Sequence, residues 1–209
     1  MDEAGILPFF FGTAVHDFWK PYLKYEKCTH SLCNAHLLRD LTFLIEQKKQ
    51  KWAVRMKKLL LNIKSEVEKA KTLQKQEIDA ATLKQFELKY RDIIAIGFKE
   101  NPEYPSRRKR KQRTKAQNLL LRLENYRTSV LAFMYNIDVP FDNNQAERDV
   151  RMVKVQQKVS GCFRSFDGAV MFCRIKSFMA SARKQRINIL DAVQNALNGK
   201  DLLTIKLPE

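Results

Sequence analysis

The sequence predicts an α/β chain that is mostly helical, and three observations carry that reading. Glycine and proline number only six each, too few for a turn-rich all-β sandwich. Leucine and isoleucine recur every three or four residues through much of 34–100, the period of an amphipathic helix. One compact stretch, residues 12–19 (GTAVHDFW), reads instead as a short strand.

In that strand Gly12 leads in, Ala14 and Val15 are apolar and compact, and Pro21 stops the run, which ends on Asp17. A second extended or turn segment around Cys28–Leu32 leads into a helix from near Asn34. Leu37, Leu38, Leu41, Leu44 and Ile45 make the first apolar stripe, continued by Leu59, Leu60 and Ile63. After the polar stretch Lys71–Asp79, a candidate bend, Leu83, Phe86 and Tyr90 resume the period. Gly97, Pro102 and Pro105 then close an arm shaped as a helical hairpin or small bundle.

Residues 106–115 (SRRKRKQRTK) hold seven basic residues and no acid. They read as a solvated basic loop or as a segment that contacts phosphates. A further helix is predicted from about Lys115 to Asn136, with Leu119, Leu120, Leu123, Tyr126, Val130 and Phe133 inward, ending in a turn at Asp138–Pro140. Asp142, Asn143 and Asn144 offer N-cap chemistry for the next helix, which places Glu147 in its first turn and runs to about Lys158. Residues 159–166 read as a glycine-containing loop or short strand. Gly168 to Arg183 form a long helix, and Asn188 caps a shorter one over Ile189–Asn198.

Composition narrows the function. The 209 residues are 44% hydrophobic and 30% charged, which excludes a disordered low-complexity protein, a collagen-like chain and a disulfide miniprotein. No apolar run approaches the ~20 residues that cross a bilayer. The opening MDEAGILPFF does not resemble a signal peptide. Four cysteines, Cys28, Cys33, Cys162 and Cys173, are therefore expected as reduced thiols in a cytoplasmic protein, the last two as core thiols. A net charge of +16 points to a polyanion, most simply nucleic acid. Residues 104–164 carry 14 basic and 5 acidic side chains, so over half of that excess sits in this segment.

The chemistry-bearing positions follow from spacing. Glu147, Arg151, Lys154 and Lys158 share one helix face, flanked by Arg148, while Val150 and Val153 point towards a core. An acid at the head of a basic stripe can hold a metal ion beside a phosphate backbone. An ordinary i,i+4 pair is the plainer reading, and the adjoining Asp142-Asn143-Asn144 favours the functional one. Asp17 ends an apolar strand, where catalytic carboxylates project, or simply terminates it.

Three blocks, Gly12–Tyr22, Leu32–Leu41 and Asp142–Arg148 (DNNQAER), resemble the IS66 family of bacterial DDE transposases in content and order. The resemblance spans nearly the whole chain. It implies a partial ribonuclease-H-like fold, in three parts. Residues 1–36 hold a sheet segment with the second catalytic aspartate, 37–136 an all-helical insertion with the basic loop, and 137–209 the glutamate-bearing and C-terminal helices. By position, Asp17 corresponds to that aspartate and Glu147 to the glutamate, with Asp142 as a further cofactor contact and 129 residues between the two acids. The implied cofactor is Mg²⁺ or Mn²⁺, two ions in a complete site, which serve in-line displacement at phosphorus. The implied partners are transposon-end and target DNA, further protomers and accessory transposition proteins. Arg107, Arg108, Lys109, Arg110, Lys111, Arg148, Arg151, Lys154 and Lys158 are the expected DNA contacts.

Cys33 and His36 resemble a Cys-x-x-His signature of DDE families. With Cys28 and His30 they spell C-x-H-x-x-C-x-x-H, which admits a zinc reading. Nine residues across a strand-to-helix junction give four ligands little room to converge, so packing or hydrogen bonding is preferred for the pair. The family's first aspartate lies well upstream of the segment matching Asp17, and Asp2 does not replace it. The chain is therefore expected to be an N-terminally truncated transposase that cannot transpose alone. The competing expectation is a non-catalytic, basic helical DNA-binding module.

Overall fold

The structure, a computed structural model, describes residues 7–102 and 113–200. They divide into two compact units, Met1–Asn143 and Asn144–Glu209.

After a 3-10 turn at Leu7–Phe9, the first unit has β1 (Thr13–His16) and β2 (Thr29–Leu32). The two strands pair in parallel, Thr13 opposite Thr29 and His16 opposite Leu32. Residues 17–28, with a 3-10 turn at Lys20–Lys24, supply the crossover of about a dozen residues that parallel pairing requires. The predicted strand over 12–19 is cut to four residues for a local reason. Phe18 takes a left-handed backbone with φ 72°, which extended pairing cannot accommodate.

Four longer helices and two of four residues complete the described part of the unit: α1 (Asn34–Lys48), α2 (Lys51–Thr72), α3 (Ala80–Glu100), α4 (Lys115–Asn125), α5 (Arg127–Val130) and α6 (Ala132–Tyr135). The arm thus has the predicted bend at 73–79 and a second one at Lys49, whose φ of 51° lets α1 turn into α2. The single helix expected over 115–136 is interrupted at Tyr126 and Leu131, each with a non-helical backbone at the junction.

One continuous apolar core joins these pieces. Leu37, Leu41 and Leu44 of α1 meet Trp52, Met56, Leu60 and Ile63 of α2, with Tyr90 and Ile94 of α3 and Leu120 and Leu123 of α4. Trp52 is fully buried, and its indole N–H donates to Gln50 Oε1 at 2.8 Å. Gly97 lets α3 approach closely, because a Cβ there would sit 2.4 Å from Leu120 and 3.2 Å from the Trp52 ring. Tyr90 donates its hydroxyl proton to the Leu123 carbonyl at 2.8 Å, satisfying one of the last carbonyls of α4. Burial pushes the Tyr90 phenol far above its ordinary value, so it stays a donor at every accessible pH.

The second unit contains α7 (Asn144–Ser160), α8 (Phe166–Lys184) and α9 (Ile189–Leu197). Ser165 caps α8 by accepting from the Gly168 N–H, and Asn188 caps α9 by accepting from Leu190 N. Lys184 and Asp149 form an ion pair of 3.1 Å between α8 and α7. Burial here departs from the sequence reading. Val150 is 60% exposed and α7 has no fully buried residue, so the expected inward valine face is not enclosed. Cys162 and Cys173, expected in a core, are exposed. Among the described residues of this unit only Ala182 and Ala192 are buried apolar residues, so its helices enclose little apolar surface. No helix among the described residues is long and apolar enough to cross a membrane.

Trp52→Ala should remove about 3–5 kcal/mol of stability through the cavity left at the centre of α1–α4. Tyr90→Phe should remove about 1–2 kcal/mol by orphaning a buried carbonyl. Urea denaturation followed by circular dichroism measures both.

Candidate functional site

Asp17 stands directly beyond the carboxyl end of β1 and is exposed. Its setting is rigid. Asp17 Oδ1 accepts from the Trp19 N–H at 3.1 Å, and the neighbouring His16 Nδ1 accepts from the Phe18 N–H at 3.2 Å. These two bonds hold the tight turn in which Phe18 keeps its left-handed backbone. Such strain in a bulky residue persists only where its surroundings impose it. The Phe18 ring stands edge-on to Tyr126 at 4.7 Å and carries the Arg122 guanidinium at 4.8 Å. The turn is therefore clamped from both sides.

Behind Asp17 lies a buried pair of histidines. His16 is 4% exposed, stacks on Tyr22 at 4.9 Å, and its Nε2 lies 3.1 Å from His30 Nδ1. The donors fix both tautomers. Phe18 N–H occupies His16 Nδ1, so the His16 proton sits on Nε2 and is donated to His30. His30 Nε2–H in turn donates to the Tyr25 carbonyl at 3.2 Å. Cys28 donates to that same carbonyl at 3.2 Å. Burial first, and His30 second, hold His16 down to about 4, against the opposing pull of Asp17. The His16 ring is neutral at physiological pH. Sequence reasoning passed over His16 because its partner lies on the other strand, and the alternation within GTAVHD was its only local sign.

Cys33 and His36 belong to the next turn, where β2 becomes α1. Cys33 is buried, and its Sγ accepts from the Asn143 N–H at 3.2 Å. The following residue, Asn34, is fully buried. Its backbone N–H donates to Phe141 O at 3.0 Å and its side-chain amide to Val130 O at 3.1 Å. Residues 141–143 are thereby fastened to the head of α1, 110 positions away in the chain at the Cys33–Asn143 bond. Cys28 and His30 face Tyr25, whereas Cys33 faces Asn143, so these four potential zinc ligands do not converge on one point.

Asp142 lines a shallow groove of about 250 Å³ with Lys64, Glu68 and Lys71 of α2. In the second unit, Glu147 is half-buried in the first turn of α7, and Arg151 approaches its carboxylate at 3.9 Å. Arg148, Arg151, Lys154 and Lys158 are all exposed along α7. Arg107, Arg108, Lys109, Arg110 and Lys111 lie outside the described residues, as does Asp2.

Comparison with known families decides what this chain is. The model of the "Transposase IS66 family" matches residues 3–171. The chain belongs to the IS66 transposase family. The matched span takes in Asp17, the whole helical arm and Glu147. No curated protein and no solved structure matches the chain significantly. Membership in a DDE transposase family brings DNA binding and a divalent metal requirement as general expectations of the family.

The lowered pKa of buried His16 generates a pH prediction for this chain. His16 takes up its proton near 6.5 when unfolded but only near 4 when folded. The unfolded state thus binds more protons between these values, and stability rises with pH across about 4 to 6.5. The gain from His16 is about 3 kcal/mol between pH 4 and 7. His16→Asn, whose oxygen can still accept from Phe18 N–H, should flatten that part of the profile. Thermal unfolding in EDTA at pH 4, 5.5 and 7 measures it.

Proposed function

We propose that the chain carries two of the three carboxylates of a metal-dependent DNA cleavage and strand-transfer centre, Asp17 and Glu147, within a partial ribonuclease-H-like fold. One observation carries the reading. Asp17 is an exposed carboxylate just past the carboxyl end of a parallel strand, inside the span matched by the transposase family. Ligand sites of open parallel sheets lie outside the carboxyl ends of their strands.

The donor chemistry suits the group that the family implies. Carboxylate oxygens are the ligands of Mg²⁺ and Mn²⁺. Asp17 presents one carboxylate, and among the described residues it joins no cluster of three potential ligands, so it supplies part of a coordination shell. When bound, divalent metal activates the attacking oxygen and stabilises the leaving one. The chain's own residues do the rest. The Trp19 N–H fixes the orientation of the Asp17 carboxylate, and the neutral His16 beneath it adds no positive charge to compete with a cation. Arg151 steadies the Glu147 carboxylate, while Arg148, Lys154 and Lys158 take DNA phosphates along α7. Transposon ends and target DNA, further protomers and accessory transposition proteins are the partners of this reading, and the cytoplasm its location.

Transposition of the element in cells, with the substitutions placed in a transposase that supplies the third carboxylate, tests the assignment. Asp17→Asn and Glu147→Gln should each lower it about 100-fold or more, while the purified variants bind a transposon-end duplex as the parent does. Undiminished transposition in both would favour the non-catalytic DNA-binding module instead.

A further inference from the structure

A groove of about 430 Å³ runs between α1 and α4 in the first unit. Its walls carry Arg39 and Phe43 from α1 and Lys115, Asn118 and Arg122 from α4. Lys115, Asn118 and Arg122 are spaced three and four apart, so α4 presents them on one face. Among the described residues the one acid lining the groove, Asp40, is engaged by Arg122 at 3.0 Å. The groove therefore has a surplus of two positive charges.

Its cations are held in an unusual way. Lys115 Nζ sits 4.4 Å above the Phe43 ring, and Arg122 spans from Asp40 to the face of Phe18. No carboxylate among the described residues pairs with Lys115. A cation resting on a partly exposed aromatic face is weakly held, and a phosphate can draw it away. Once it leaves, the Phe43 face is open to a flat ring. Cations for phosphates, an aromatic face for a base and an amide for polar edges are together the equipment for a single nucleic-acid strand. A duplex offers phosphates but keeps its base faces stacked. The groove also has a direction, because Arg122 ends it at Phe18, the residue next to Asp17.

We propose that the α1–α4 groove holds an unpaired DNA strand, with Phe43 stacking on a base and Arg39, Lys115 and Arg122 on its phosphates, and leads that strand to Asp17. The inference rests on the proposed DNA-processing function and adds to it a strand-binding site outside the basic loop and the α7 stripe.

Fluorescence anisotropy with two labelled probes tests it: a blunt duplex, and the same duplex with a single-stranded thymidine overhang. The parent chain should bind the overhang probe about fivefold or more tightly, the value of one stacked base. Phe43→Ala should abolish that preference and leave blunt-duplex affinity unchanged. Arg39→Ala with Lys115→Ala should weaken overhang binding and reduce its salt dependence by one to two phosphate contacts. The exposed pair Lys84→Ala with Lys89→Ala on α3 serves as the control and should leave the preference intact. An equal preference in the parent and Phe43→Ala, or none in the parent, overturns the groove assignment while DNA binding itself stands. Failure of the parent to bind either probe overturns the DNA-processing reading as well.

Discussion

Everything in the first unit depends on one closure, made at Asn34. This residue sits where β2 becomes α1, with no exposed surface. Its side chain bonds Val130 O, and its backbone N–H bonds Phe141 O. The helices between those points leave the strand end and come back to it. Leaving those carbonyls buried and unmet would cost about 1–3 kcal/mol each, which favours this closure of the arm. The Cys33 thiol, taking the Asn143 N–H, adds a second fastening at the same place. The chain that enters α7 therefore starts from a fixed point.

That closure gives the strand end its rigidity. Phe18 is kept in a left-handed backbone by the His16 and Asp17 side chains below and by Tyr126 and Arg122 above. Tyr126 and Arg122 arrive on the returning limb of the arm. The conformation of the Asp17 turn is thus set by residues more than a hundred positions further along, and the hydrogen-bonded histidine pair forms its floor. Such an arrangement suits a carboxylate that must not reorient when a cation or a phosphate arrives.

The sequence made parts of this legible and hid others, for identifiable reasons. The stripe Leu37–Leu41–Leu44 with Leu60 and Ile63 announced the arm because both faces of a two-layer helix packing obey the same period. Asp17 and Glu147 stand out as candidates through the motifs around them. The pairing of β1 with β2 was not, since Thr29-His30-Ser31-Leu32 has no apolar alternation and its burial is imposed by α5 and α6. Asn34 looked like any helix-start asparagine, its partner being 96 residues distant. The opposite error arose at Val150, Cys162 and Cys173. Apolar character predicts burial only where something lies across from it, and local sequence does not say which faces are covered. The groove cations were invisible as a set because Arg39 and Arg122 belong to different helices.

The central claim is that the arm is closed at Asn34, and amide hydrogen exchange of Asn34→Ala tests it most directly. Residues 29–34 and 130–143 should lose protection together, while the centres of α2 and α3 keep theirs. Unchanged protection at 130–143, or a loss spread evenly over the whole arm, would contradict the account.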